Sequence, residues 1–236
     1  SALKENKNYS KSIETIKNFF DEAKIYSNQT PKHLPYSSMK GIFDGSKTIY
    51  LHASYEKQII DGVSFLKDLN LKKIVLVNAE ESLNIIEFLK KNNIPIIISR
   101  PHRLPDSEDQ DPKLTFKLAS KLINSGILVS IDTSGQMERM NTRNLPFYAG
   151  SFAAYGIDKE VALKMITINS AKILGIDDKL GSLKVGKDAT LFISKGDAFD
   201  MRTNILSHAF IKGRQISLET HQTKLWKRYS KKFNEN

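Results

Sequence analysis

The side chains best equipped for chemistry stand mostly in loops that follow short apolar runs. His102 and Arg103 lie in SRPHRLPDSEDQD, directly after the run PIIIS. Loops in that position often carry specificity, and a polar surface loop accounts for the pair equally well. Asp106, Glu108, Asp109 and Asp111 follow in the same loop. Together they form an acidic cluster able to attract a cation, or an ordinary solvated loop. Asp132 comes immediately after the run ILVSI, where its carboxylate can close an Asx-turn on its own loop. Arg139 and Arg143 follow. Two guanidinium groups there could clamp a substrate carboxylate with paired hydrogen bonds, or serve only as surface charge. His52 ends the run TIYLHA. A lone histidine at a strand end is commonly a hydrogen-bonded structural residue. His33, His208 and His221 belong to no recognisable pattern, and the chain has no cysteine, which excludes disulfides and thiolate metal sites.

These residues need a frame, and the apolar pattern supplies one. Thr48 to Ala53, Lys73 to Ala79, Pro95 to Ser99 and Ile127 to Ile131 are continuous Ile/Leu/Val runs. Between them, Glu56 to Leu69, Glu81 to Asn92 and Pro112 to Asn124 have the spacing of amphipathic helices. Buried strands alternating with helices predict a parallel sheet covered on both faces. A helix over Tyr9 to Tyr26 precedes this pattern, followed by a loop containing Pro31 and Pro35. Two helices follow it, Asn144 to Tyr155 and Lys159 to Leu174, with Asp158 as an N-cap and Gly175 as the stop. Short strands then appear at Asp188 to Ser194, Leu206 to Ile211 and Gln215 to Leu218, with a hairpin turn expected at Gly213-Arg214. The last segment, Glu219 to Phe233, reads as a basic helix, docked on the body through Leu225, Tyr229 and Phe233. The expected division is an N-terminal helix and linker over 1–47, four βα units over 48–175, small β-domain strands over 176–218 and a C-terminal helix over 219–236.

A chain of 236 residues, 40% of them hydrophobic, can bury a sizeable core. No apolar run approaches the roughly 18 residues needed to span a bilayer. Ser1 to Ser10 lacks the apolar centre of a signal peptide. Ser1-Ala2 reads as a scar or a processed end, so the compartment stays open. The net charge of +10 is spread as lysines along every helix, the pattern of solvated faces and not of a nucleic-acid footprint. Neither nucleic acid nor a membrane is expected as a partner.

Two segments carry a resemblance: NLPFYAGSFAAYGIDKEVALKMITINSAKILGI and GSLKVGKDATLFI. Here a helix ends in a glycine turn and gives way at once to short strands joined by a second glycine turn. In this the chain resembles the C-terminal half of amidohydrolase-superfamily proteins, of the imidazolonepropionase-like kind, from about Thr48 to Leu218. The resemblance implies an α/β fold, the C-terminal half of a (β/α)8 barrel followed by the C-terminal strands of a small β-sandwich. It also implies one or two divalent metals, usually zinc, at the C-terminal ends of the strands, activating a water that attacks an amide or cyclic C–N bond.

Carried onto this sequence, the resemblance makes His52 a metal ligand, with Ser54 in place of a second histidine. Asn78 stands where the family places another histidine. Ser134 stands where it places an aspartate that is ligand and general base, and Asp132, two residues earlier, is the substitute for that role. Asn78, His102, Arg103, Ser134 and Arg143 are the expected substrate contacts. The family's H-x-H pair lies on a strand this chain does not contain. The expected function is therefore hydrolysis of a non-peptide C–N bond in an intact protein whose N-terminal half is supplied elsewhere, the present piece being inactive by itself. The alternative is a degenerate member that binds a small molecule or a partner without hydrolysis. The expected partners are that missing half, a small-molecule substrate and a second copy of the chain. Exposed apolar surface is expected wherever the missing parts would pack.

Overall fold

Runs of branched apolar residues flanked by amphipathic helices favour parallel strands buried on both sides, and this is what the chain builds. The computed structural model describes residues 8–104, 108, 110–135 and 137–234. The chain divides into two units, one ending at Pro95 and the other beginning at Ile96.

In the first unit, α1 (Tyr9–Tyr26) and α2 (Leu34–Phe43) precede β1 (Ile49–Ala53), α3 (Glu56–Asp68), β2 (Ile74–Asn78) and α4 (Ile86–Lys91). β1 and β2 pair in parallel, with Ile49 opposite Ile74 and His52 opposite Val77. Ile74 to Val77 are all buried, as are Ile59, Val63 and Leu66 of α3. α2 was not expected. Its start was expected to belong to a loop containing Pro31 and Pro35, yet Pro35 falls in the first helical turn, where its missing N–H and fixed φ favour a start. The single helix expected over Glu81 to Asn92 is a 3-10 turn, Ser82–Ile85, followed by the short α4. Polar bonds to the start of α3 accompany the irregular start. Glu81 accepts the Glu56 N–H at 2.8 Å, and Asn84 donates to the Glu56 carboxylate at 3.0 Å.

In the second unit, β3 (Ile96–Ile98), α5 (Leu114–Asn124) and β4 (Val129–Ile131) lead into α6 (Leu145–Ala154), α7 (Lys159–Ile166) and α8 (Ile168–Leu174). β3 and β4 pair in parallel, Ile96 opposite Val129 and Ile98 opposite Ile131. A 3-10 segment, Glu138–Asn144, precedes α6. Asp158 caps α7 by accepting the Val161 N–H at 3.1 Å, and Gly175 ends α8 in the left-handed conformation, both as expected. The one helix expected from Lys159 to Leu174 is broken at Thr167, whose φ of -127° and ψ of -98° are not helical. Its hydroxyl donates to Leu163 O at 2.7 Å. The turn at Gly181 closes against this break. A Cβ on Gly181, whose φ is +87°, would lie 2.7 Å from the Ala171 Cβ and 3.1 Å from Thr167 O.

β5 (Leu191–Ser194), β6 (Leu206–Ile211) and β7 (Arg214–Gln215) form a separate antiparallel sheet. Its hairpin turn is Lys212-Gly213, one residue earlier than expected. Both residues have positive φ, 50° and 78°, the pair that a two-residue turn of matching twist requires. Phe192, Ile193, Leu206 and Ile211 are exposed, in keeping with the expected uncovered apolar surface. The expected docking of the C-terminal helix α9 (His221–Asn234) is overturned. Its Tyr229 is 52% and its Phe233 75% exposed.

Candidate functional site

In each unit the candidate residues grow from strand ends. In the first unit, Leu51 of β1 meets α3 at Gly62, where a Cβ would come within 2.8 Å of the leucine side chain. Side chains alternate along a strand, so Tyr50 and His52 face away from α3, and both are exposed. Ala53 pairs with Asn78 across the two strands. The pleat thus sets Asn78 in register with Ala53, not with His52. Asn78 and Ala79 both take positive φ, 83° and 61°, which turns the chain sharply off β2. The loops after the two strands are tied by Ala79 N–H to Ala53 O at 3.0 Å and Glu81 N–H to Ser54 O at 2.9 Å. Asparagine is among the few non-glycine residues that accept this conformation readily, which gives Asn78 a backbone role.

In the second unit, Asp132 is the first residue past β4. A buried polar clamp holds the strand behind it. Ser130 Oγ lies 2.9 Å from Met165 O and 2.7 Å from Ser170 Oγ, and Asn169 Nδ2 donates to Val129 O at 2.9 Å. The Asp132 N–H donates to Ile98 O at 3.1 Å. The carboxylate is then fixed by three donors. Its Oδ1 accepts the Ser134 N–H at 3.1 Å, and its Oδ2 accepts the hydroxyls of Ser99 at 2.9 Å and Ser134 at 3.0 Å. The first of these is the Asx-turn the sequence suggested. A carboxylate has about four acceptor positions, so among the described residues Asp132 keeps roughly one open. Ser99, which sequence reasoning passed over, differs from the many other serines only in following β3 as Asp132 follows β4.

His102 stands apart from this cluster, in an open cleft of about 510 Å³ lined by Phe147, Tyr148, Ser151, Phe199 and Asp200 among others. Its Nε2 is 2.8 Å from Ser151 Oγ, and its ring meets Tyr148 edge-on, the centroids 4.8 Å apart. Partial burial pushes its pKa below the usual imidazole value, favouring the neutral ring. Asp200 is gripped by Arg202 through Nε at 3.1 Å and Nη2 at 2.8 Å. Those bonds, with the Arg202 N–H, hold its carboxyl at about 2. Tyr148, Ser151 and Asp200 carried no sequence signal, because nothing in their spacing links α6 to a loop about fifty residues later.

The remaining candidates scatter. Arg103 N–H donates to Arg100 O at 3.0 Å, and Arg143 is exposed on the 3-10 segment before α6. The Arg139 side chain, Asp106 and Asp109 lie outside the described residues. Asp111 accepts the Lys113 N–H at 2.9 Å and pairs with Lys117, the behaviour of a solvated loop carboxylate. Among the described residues, no group of three or more His, Cys, Asp or Glu side chains is placed to hold a metal ion. A zinc site takes three or four such ligands, so the donors present here do not make one by themselves.

Residues 1–216 match the amidohydrolase family. The chain is 26% identical over 195 residues to a 5'-deoxyadenosine deaminase of Methanobrevibacter smithii, a match covering 68% of this chain and 42% of that one. Among solved structures it resembles an amidohydrolase from Thermotoga maritima, with a TM-score of 0.75, 22% identity, and 87% of this chain set on 55% of that one. It also resembles an adenosine deaminase from Xanthomonas campestris with bound zinc, with a TM-score of 0.52, 16% identity, and 83% set on 53%. The chain thus spans about half the length of the relatives it matches. Four βα strands, half the complement of a (β/α)8 barrel, followed by a small antiparallel sheet, are that shared fold. With the family covering all but its last residues, this chain belongs to the amidohydrolases.

Proposed function

We propose that this chain is the C-terminal portion of a metal-dependent hydrolase, whose intact form cleaves a non-peptide C–N bond, amide or cyclic amide, with metal-activated water. Membership of the amidohydrolase family over residues 1–216 carries the reading. The relative named as a deaminase supports C–N cleavage as the reaction class. In this reading His52 supplies an imidazole donor, and Asp132 a carboxylate that serves as ligand or general base. Ser99 and Ser134 fix the rotation of that carboxylate and leave one acceptor position for a ligand or a proton. Asn78, His102, Arg103, Ser134 and Arg143 are assigned to the substrate. The remaining donors come from the preceding half of the same protein. The exposure of Tyr50 and His52 on β1 supports a partner segment there.

The test is metal content. Full-length protein is expected to hold close to stoichiometric zinc or a similar divalent ion, and His52→Ala to lose most of it. Metal-free protein that refuses zinc would defeat the reading. A second reading, a degenerate member that binds without hydrolysis, is favoured by one observation. The carboxylate offered at β4 is already engaged by three donors. It would be supported by full-length protein that binds amide analogues yet neither takes up zinc nor turns over.

A further inference from the structure

α9 stands outside the part of the chain that matches the amidohydrolase family, which ends at residue 216. The family match does not account for it, so its role is argued from its own sequence and exposure. Its sequence, HQTKLWKRYSKKFN, contains no carboxylate. At 3.6 residues per turn, Leu225, Trp226, Tyr229 and Phe233 share one side within about 100° of arc. Lys224, Lys227, Arg228 and Lys231 occupy the opposite side. The aromatic side is open: Trp226 is 69% exposed, Tyr229 52% and Phe233 75%. The Arg228 guanidinium lies 5.7 Å from the Tyr229 ring centroid, at the border of the two sides. Glu219, just ahead of the helix, pairs with Lys227 at 2.9 Å.

Charge decides what can cover this stripe. Its charged neighbours on the helix are all cations, so the occupant is anionic at its rim and apolar beneath. A bilayer surface with anionic headgroups meets both conditions. Low overall hydrophobicity, segregated faces and a cationic polar side mark helices that lie flat in such an interface. Tryptophan and tyrosine rings settle at headgroup depth, and lysine and arginine sit over anionic lipid. Among the described residues no helix is long and apolar enough to cross a membrane. A helix lying in the interface needs no such run, and the exposed stripe argues against the expectation that no membrane is a partner. We propose that α9 is a surface anchor that lays its aromatic stripe into an anionic lipid headgroup layer.

Trp226 is the chain's single tryptophan and sits on the stripe, so its fluorescence reports the event directly. With full-length protein, any tryptophan outside this chain replaced by phenylalanine, phosphatidylcholine vesicles containing about one third phosphatidylglycerol should shift its emission to the blue and carry the protein down on centrifugation. Pure phosphatidylcholine vesicles should do neither, and salt at about 0.5 M should reverse the effect. Reversing two cations, Arg228→Glu with Lys231→Glu, should weaken partitioning about tenfold or more. Circular dichroism would confirm that this variant keeps its helices. Unchanged emission with anionic vesicles would overturn the proposal, as would an equal shift with neutral ones. Emission already blue before lipid is added, and indifferent to it, would assign the stripe to a second copy or to the rest of the protein. A shift with polyglutamate or duplex DNA but not with vesicles would assign it to an acidic protein or a nucleic acid. Either result also overturns the proposal.

Discussion

The Asp132 carboxylate is held in place by hydrogen bonds from two loops. Its three donors set its rotation, and Ser99 reaches it from the neighbouring strand. Ser99→Ala removes one bond without altering the backbone. In full-length protein it should lower metal affinity or turnover roughly 10- to 100-fold, the scale seen when a ligand's supporting partner is lost. The wild-type chain and the variant should differ in unfolding free energy by only about 1 kcal/mol. Binding and denaturant titrations run in parallel would separate the two effects. Asp200 offers a cleaner electrostatic check. Arg202 lowers its pKa from 3.8 to about 2. The folded-state value lies below the unfolded one, so the pairing favours the fold above about pH 4 and ceases to do so as pH falls through about 2. A proton-detected titration should place the Asp200 midpoint near 2, and Arg202→Ala should return it toward 3.8. A midpoint that does not move would show that the pairing is not the cause.

Among the elements, β4 and the α7–α8 break belong together. Asn169 and Ser170 sit at the start of α8 and reach the strand that carries Asp132. Asn169→Ala leaves Val129 O without that partner and should cost about 1–3 kcal/mol in urea denaturation. Gly181→Ala should be worse. It asks an L residue to adopt a φ of +87° and drives a methyl into Ala171 and Thr167 at the same break. A loss of about 2 kcal/mol or more is expected, and a loss below about 0.5 kcal/mol would show that the turn relaxes freely. The strands were legible because uninterrupted Ile, Val and Leu runs have few alternatives. The break at Thr167 was not, since threonine is tolerated in helices and the interruption comes from contacts distant in sequence. α2 was missed for a local reason: Pro35 reads as a breaker until its place in the first turn is known. The hairpin was found one residue out, because Gly213 signalled the turn while Lys212 gave no hint of positive φ.

For the whole molecule, family membership was legible in the segments around α6 to β5, where caps and glycine turns dictate residue types at set spacings. The candidate site was legible only in part. Asp132 and His52 could be placed at strand ends, whether or not they act there, whereas Ser99 and the aromatic cleft around His102 are made by chain segments that meet only in three dimensions. The stripe of α9, which its four-residue spacing had assigned to docking, is exposed, as are the strand residues Phe192 and Ile193. In the proposed function, Asp132 takes part in C–N hydrolysis by the full-length protein. The most direct measurement is the hydrolysis rate of full-length protein on a panel of amides and cyclic amides, wild type against Asp132→Asn. Turnover of at least one substrate, reduced about a hundredfold or more in the variant, is the predicted result. Equal rates for the two proteins, or no turnover by zinc-loaded wild type on any member of the panel, would contradict it.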